Sequence, residues 1–70
     1  MARQRDSEIW TDGEWIAVDS TLEYIEGWAS IDRIAAESDV KPNVVRAILK
    51  EMVRHGDSVV RKGKRYRYRD

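Results

Sequence analysis

Residues 42–55, with the sequence PNVVRAILKEMVRH, decide the fold of this 70-residue chain. Apolar side chains recur there at the i, i+3, i+4, i+7, i+8 spacing of an amphipathic α-helix: Val45, Ile48, Leu49, Met52 and Val53. Pro42 suits a first helical turn, because its missing N–H would have no partner there, and Gly56 suits the position just beyond a last turn. The spacing therefore predicts a helix over residues 42–55 with one buried and one exposed face.

Two further helices are predicted upstream of this stretch. Ser30 can cap a helix that runs to about Ser38, and its apolar face consists of Ile31, Ile34 and Ala35. Residues 39–41, Asp-Val-Lys, then form a three-residue turn into the helix over residues 42–55. Farther upstream, residues 20–23 (STLE) fit the capping-box pattern, which predicts a first helix over roughly residues 20–27.

The last segment, residues 58–69, has the pattern of a β-hairpin. Tyr66 and Tyr68 alternate with arginines at the period of a strand, so that one face is aromatic and the other cationic. Residues 58–61 indicate a second short strand, and Lys62-Gly63 can form the turn between the two. We therefore expect both tyrosines to pack inward and most of the cations to face solvent.

A second hairpin is predicted near the N-terminus, over residues 8–18. Asp-Gly is among the strongest two-residue hairpin signals, and Asp12-Gly13 lies between segments that contain Trp10 and Trp15. With this turn the two tryptophans face each other across the strands, where aromatic pairs help most. Residues 1–7 are expected to form a flexible tail in front of the hairpin.

The predicted order of helix, helix, turn, helix and hairpin resembles that of winged helix-turn-helix DNA-binding domains, in particular those of small prokaryotic or phage regulators. The resemblance covers about residues 20–69. It rests on four segments: the positioning helix IDRIAA at residues 31–36, the turn residue Val40, the recognition helix NVVRAILKEM at residues 43–52, and Gly56 followed by Val59-Val60 before the wing. It implies an α+β domain over residues 19–70, a three-helix winged helix-turn-helix with a C-terminal β-hairpin wing, preceded here by the N-terminal β-hairpin.

The resemblance also implies sequence-specific binding of double-stranded DNA, with residues 42–55 in the major groove and residues 58–69 on the backbone or minor groove. The residues favour this independently, because polar and cationic side chains lie opposite the apolar stripe of residues 42–55. The candidate DNA-binding residues are Lys41, Asn43, Arg46, Ala47, Lys50, Arg54, Arg61, Lys62, Lys64 and Arg65. The biological role would be transcription regulation or assembly on DNA, in the cytoplasm and on the nucleoid when bound.

The roles of the helix residues follow from their positions. The N-terminal part of a recognition helix meets base edges, so we expect Asn43 to read adenine, Arg46 to read guanine, and Ala47 to allow close approach or to touch a thymine methyl. Lys50 and Arg54 lie farther along the helix and would meet phosphates. The cations of the wing would clamp the neighbouring backbone, a contact that positions the protein more than it specifies a sequence.

The net charge of zero hides a strong asymmetry. Residues 1–40 hold three basic and ten acidic side chains, a net charge of −7, whereas residues 41–70 hold ten basic and three acidic ones, a net charge of +7. The C-terminal half should therefore attract polyanions. The acidic half, with Trp10, Trp15 and Trp28, supports an alternative: a protein-interaction module, or self-association of acidic face against basic face. Single-strand binding on the tryptophans is a third alternative.

Other functional classes find no support in the sequence. It contains no cysteine, no glycine-rich phosphate loop, no calcium-loop spacing of carboxylates and no apolar stretch long enough to span a bilayer. His55 is the only histidine, and no nucleophile accompanies it in the sequence. We therefore expect no enzymatic activity, no cofactor, no metal and no membrane contact.

Overall fold

The computed structural model describes residues 10–55 and 59–69, which contain three helices and three strands. In chain order the elements are α1 (Asp12–Tyr24), β1 (Ala29–Ser30), α2 (Ile31–Ser38), α3 (Pro42–His55), β2 (Val59–Lys62) and β3 (Arg65–Tyr68). The strands form an antiparallel sheet in the order β1-β3-β2. The predicted α+β class is thereby confirmed.

Helices α2 and α3 have the bounds that the sequence predicts. The Ser30 hydroxyl caps α2 by accepting a 3.2 Å hydrogen bond from the backbone N–H of Arg33. Between the helices, Asp39 adopts the left-handed conformation with a φ of 60°, which turns the chain sharply. Val40 in the same turn is buried, and its N–H donates to the carbonyl of Ala35 at 3.2 Å. The turn is thus fixed both by its backbone and by the core.

Residues 12–24 form a helix, so the hairpin predicted over residues 8–18 is wrong within the described residues 10–18. Thr11 and Glu14 form a capping box at the start of α1. The Thr11 hydroxyl accepts from the Glu14 N–H at 3.1 Å, and the Thr11 N–H donates to the Glu14 carboxylate at 2.8 Å. The remaining two residues of the predicted hairpin, and the predicted tail over residues 1–7, lie outside the described part of the chain.

The two tryptophans of that segment do contact each other, although within a helix start rather than a hairpin. The ring centroids of Trp10 and Trp15 lie 5.5 Å apart at an angle of 40°. Trp10 precedes the capping residue and Trp15 is the fourth residue of α1, which is the arrangement of a hydrophobic staple. Both rings are half-buried and pack against the core.

The first helix also differs from the prediction at both ends. It ends at Tyr24 rather than near residue 27, and Ser20, the predicted cap, is an exposed residue in its interior. Gly27 has a φ of 109°, a conformation that side chains rarely tolerate, and it separates α1 from β1. Ala29, beyond the end of the predicted first helix, lies in β1 and pairs with Tyr66 of β3.

The predicted C-terminal hairpin is confirmed over residues 59–68, with a different turn. Lys62 pairs with Arg65, so Gly63 and Lys64 form the turn in place of Lys62 and Gly63. Only Gly63 of these two has a positive φ, 64°, which matches a type II′ turn with glycine at its first central position. Ser58, the first residue of the predicted hairpin, is outside the described residues, as is Gly56.

Each helix and each strand contributes to one hydrophobic core. Its fully buried side chains are Val18, Leu22, Ile34, Val45, Ile48, Leu49 and Val59. Tyr66 is buried and Tyr68 packs against the same cluster, so the predicted inward orientation of both tyrosines is confirmed. Among the described residues, no helix has the length and apolar character needed to cross a membrane.

Candidate nucleic-acid interface

A groove of about 730 Å³ separates α3 from the β2–β3 hairpin. Its lining includes the five cationic side chains Arg46, Lys50, Arg54, Arg61 and Lys64. We call these residues the groove cations. Apolar parts of the lining come from Ile31, Pro42, Val53 and Tyr66. Half of the ten predicted DNA-binding residues therefore meet around one groove, although they come from segments far apart in the sequence.

The helical wall of the groove is a row of three cations. Arg46, Lys50 and Arg54 follow each other at intervals of four residues on α3, so they lie above one another at steps of about 6 Å. All three are exposed. The opposite side of α3 carries Val45, Ile48, Leu49 and Met52 into the core, which fixes the rotation of the helix and thereby the direction of the cationic row.

The hairpin wall places two more cations opposite that row. Arg61 pairs with Tyr66, and paired residues of antiparallel strands share one face of the sheet. Tyr66 is buried against the helices, so Arg61 lies on the helix-facing side of the sheet, where it is exposed. Lys64 occupies the turn next to Gly63. The groove thus has cationic groups on both sides.

Acidic partners neutralise little of this charge. Glu51 forms an ion pair with Arg54 at 4.0 Å and contacts the His55 imidazole at 3.1 Å. Within residues 10–55 and 59–69, none of the other four groove cations has a carboxylate within 4.0 Å. Among the described residues of the groove lining, Asp32, from the first turn of α2, is the one acidic residue. The groove therefore carries an excess of positive charge.

The other five predicted residues lie outside the groove lining. Lys41, Asn43 and Ala47 are at the start of α3 or on its solvent side, and the carbonyl of Lys41 accepts from the N–H groups of Val44 and Val45 at 3.0 and 2.9 Å. Lys62 and Arg65 pair with each other on the sheet face opposite to Tyr66. The sequence-based set consequently divides between the groove, the outer side of α3 and the outer face of the sheet.

Two residues outside the predicted set form a contact on that outer face. The guanidinium carbon of Arg67 lies over the ring of Trp28, 5.7 Å from its centroid, which is within the range of a cation–π interaction. No local pattern in the sequence shows that Trp28 adjoins β3. The alternation of tyrosine and arginine along β3 does place Arg67 on the cationic face, so the position of Arg67 could be predicted from the sequence.

No family model, curated protein sequence or solved structure matches this chain. The described residues contain no group of three or more histidine, cysteine, aspartate or glutamate side chains that could hold a metal ion.

Proposed function

We propose that this protein binds double-stranded DNA through the groove between α3 and the β2–β3 hairpin. The observation that carries the proposal is the convergence of the groove cations from two separate elements. A row of cations on one helix is common on protein surfaces and is often only solvated. Cations from α3 and from the hairpin that line the same groove match a ligand with a continuous array of negative charges, which the phosphates of DNA provide.

The order of the elements supports a winged helix-turn-helix assignment for the domain. In this assignment α2 is the positioning helix, residues 39–41 are the turn, α3 is the recognition helix and the β2–β3 hairpin is the wing. In the sheet order β1-β3-β2, the hairpin is paired with β1, and β1 directly precedes α2. This pairing connects the hairpin to the helices. A wing in this position would contact the backbone or minor groove next to the major groove that receives α3.

The dimensions and residues of α3 suit the major groove. The helix has 14 residues and is therefore about 21 Å long, and the major groove, about 12 Å wide, admits an α-helix. Asn43, Arg46 and Ala47 near its start would face base edges, whereas Lys50 and Arg54 would meet phosphates. Arg61 and Lys64 would hold the neighbouring strand. Transcription regulation or assembly on DNA would follow from such binding.

A protein-interaction module remains the second candidate function, and α1 carries the observation in its favour. Ile16 is 61% exposed and Tyr24 is 77% exposed, and both lie on the solvent side of this acidic helix. Trp10 and Trp15 pack against the core, which leaves Ile16 and Tyr24 as the apolar part of such a surface. Replacing Ile16 with serine would weaken a protein complex and leave DNA affinity unchanged.

Fluorescence anisotropy of a labelled mixed-sequence duplex, titrated with the protein at several salt concentrations, tests the proposed function. If Lys50, Arg54, Arg61 and Lys64 each neutralise one phosphate, the logarithm of the binding constant should fall with the logarithm of the salt concentration with a slope of about −3.6. The absence of binding at low salt would reject DNA as the ligand.

A further inference from the structure

The sheet has a second face that the proposed duplex-binding groove does not use. We call it the outer sheet face and define it by Trp28, Val60, Lys62, Arg65 and Arg67. We propose that this face binds single-stranded nucleic acid, with a base stacked on the Trp28–Arg67 pair and phosphates on Lys62 and Arg65. This site goes beyond the proposed function, since it uses different residues and a different ligand.

The strand register defines the outer sheet face. Val59 pairs with Tyr68 and Arg61 with Tyr66, and these pairs face the helices, because Val59 and Tyr66 belong to the core and Tyr68 contacts α1. Side chains alternate along a strand, so the intervening pairs must point the other way. These pairs are Val60 with Arg67 and Lys62 with Arg65.

The aromatic part of this face lies at the end of the sheet away from the hairpin turn. Trp28 is half-buried, yet within the described part of the chain it is not one of the hydrophobic residues that pack against the core. Its ring instead lies next to the Arg67 guanidinium, 5.7 Å from the ring centroid to the guanidinium carbon. The Nε of Arg67 also donates to the carbonyl of Tyr68 at 3.3 Å, which helps to hold the guanidinium in place. Unstacked bases stack on tryptophan rings and on arginine guanidinium planes alike.

The cationic part lies toward the turn. Lys62 and Arg65 are exposed and lie directly opposite each other on adjacent strands. Arg65 and Arg67 are two residues apart on β3, so their Cα atoms are separated by about 7 Å. An extended strand of nucleic acid could therefore place a base at Trp28 and its next phosphates near Lys62 and Arg65. A charged groove with stacking side chains is the general mode of single-strand recognition.

The combination of groups distinguishes this ligand from the alternatives. A duplex keeps its bases stacked inside and would use the cations without Trp28. An acidic protein surface would likewise use the cations, but it offers few planar groups for the tryptophan. A single strand uses both, because every exposed base has a π-face and every linkage has a phosphate. Single-stranded DNA and RNA share this chemistry.

The test uses two fluorescein-labelled probes of about 12 nucleotides, oligothymidylate and oligouridylate, in anisotropy titrations at low salt. We expect the intact protein to bind them and Trp28→Ala to weaken binding at least about fivefold, whereas Trp28→Phe keeps most of the affinity. Arg65→Glu, a change at an exposed position, should also weaken binding. A preference for one probe would assign the natural ligand to DNA or RNA.

Duplex DNA and the groove variant Arg46→Glu separate this site from the proposed duplex site. Trp28→Ala should leave duplex affinity unchanged, and Arg46→Glu should leave oligothymidylate affinity within about twofold of wild type. If Trp28→Ala fails to fold by circular dichroism, Arg65→Glu alone decides. Unchanged oligothymidylate affinity in Arg65→Glu, no binding at low salt, or equal losses in Arg46→Glu and Arg65→Glu would each overturn the proposal.

Discussion

The hydroxyl of Tyr68 donates a hydrogen bond of 2.9 Å to Oδ1 of Asp19. This bond joins the last strand to the first helix across 49 residues of sequence. Tyr68 also packs its ring against the core, so β3 is attached to the helices by both an apolar and a polar contact. Because β3 carries β2 and the turn, the contact helps to fix the hairpin that forms one wall of the groove.

Removal of the Tyr68 hydroxyl should destabilise the fold measurably. We expect Tyr68→Phe to lower the free energy of unfolding by about 1–2 kcal/mol, because the half-buried carboxylate of Asp19 loses this hydrogen bond. In a domain of this size the melting temperature should fall by at least about 4 °C. Tyr24→Phe is the matched control, because Tyr24 is 77% exposed. Equal melting temperatures for the two variants would show that the Tyr68 bond contributes nothing.

Two glycine substitutions test the first turn of α1 and the turn of the β2–β3 hairpin. Gly13 lies in the first turn of α1, and a Cβ there would meet, among the described residues, only Thr11 Oγ1 at an ordinary 3.8 Å. Gly13→Ala should therefore stabilise the protein by about 0.5 kcal/mol in urea denaturation. Gly63→Ala should instead cost about 1–2 kcal/mol, because Gly63 has a φ of 64°. A loss of stability in Gly13→Ala would favour the Asp12-Gly13 turn over the helix.

The capping box offers an independent test of the same helix. Thr11→Ala removes the side-chain acceptor of the Glu14 N–H, and we expect a loss of about 1 kcal/mol in the free energy of unfolding. Ser20→Ala should be neutral or slightly stabilising, because Ser20 is exposed in the helix interior and alanine has the better helix propensity. The opposite ranking of these two variants by urea denaturation would place the cap at Ser20.

The salt dependence of duplex binding should report the hairpin wall of the groove. Lys64→Ala removes one groove cation, so the affinity for all duplex sequences should fall alike and the salt slope should become shallower by about one unit. Arg69→Ala removes the same charge just beyond the other end of β3 and serves as the control. A loss confined to one DNA sequence, or an equal change of slope in Arg69→Ala, would contradict a phosphate contact at Lys64.

The parts of the fold that local signals specify could be predicted from the sequence. The apolar spacing of α3, the Ser30 cap of α2 and the alternation of Tyr66 and Tyr68 each act within one element, and each was confirmed. The start of the first helix was predicted wrongly because two local signals overlap in residues 11–14, TDGE. Asp12-Gly13 favours a turn, whereas Thr11 and Glu14 favour a helix cap, and no local rule ranks them.

Tertiary packing resolves that competition. Val18, Leu22 and Ile25 are all buried, at a helical spacing of i, i+4 and i+7. A helix over these residues buries all three side chains in the core, whereas a hairpin would not place them on one face. The short strand β1 had no local signal either, because its two residues are ordered by pairing with β3. The groove likewise depends on tertiary packing. The sequence therefore predicted the ten candidate DNA-binding residues but could not show which five of them line one groove.

The most direct test of the central claim compares two charge reversals in duplex binding. Arg46→Glu changes the groove and Arg69→Glu makes the same change in net charge outside its lining, at an exposed position beyond β3. Anisotropy with the mixed-sequence duplex should show a loss of at least about tenfold in affinity for Arg46→Glu and a much smaller loss for Arg69→Glu, with both variants folded by circular dichroism. Equal affinities for the two folded variants would contradict the placement of α3 against DNA.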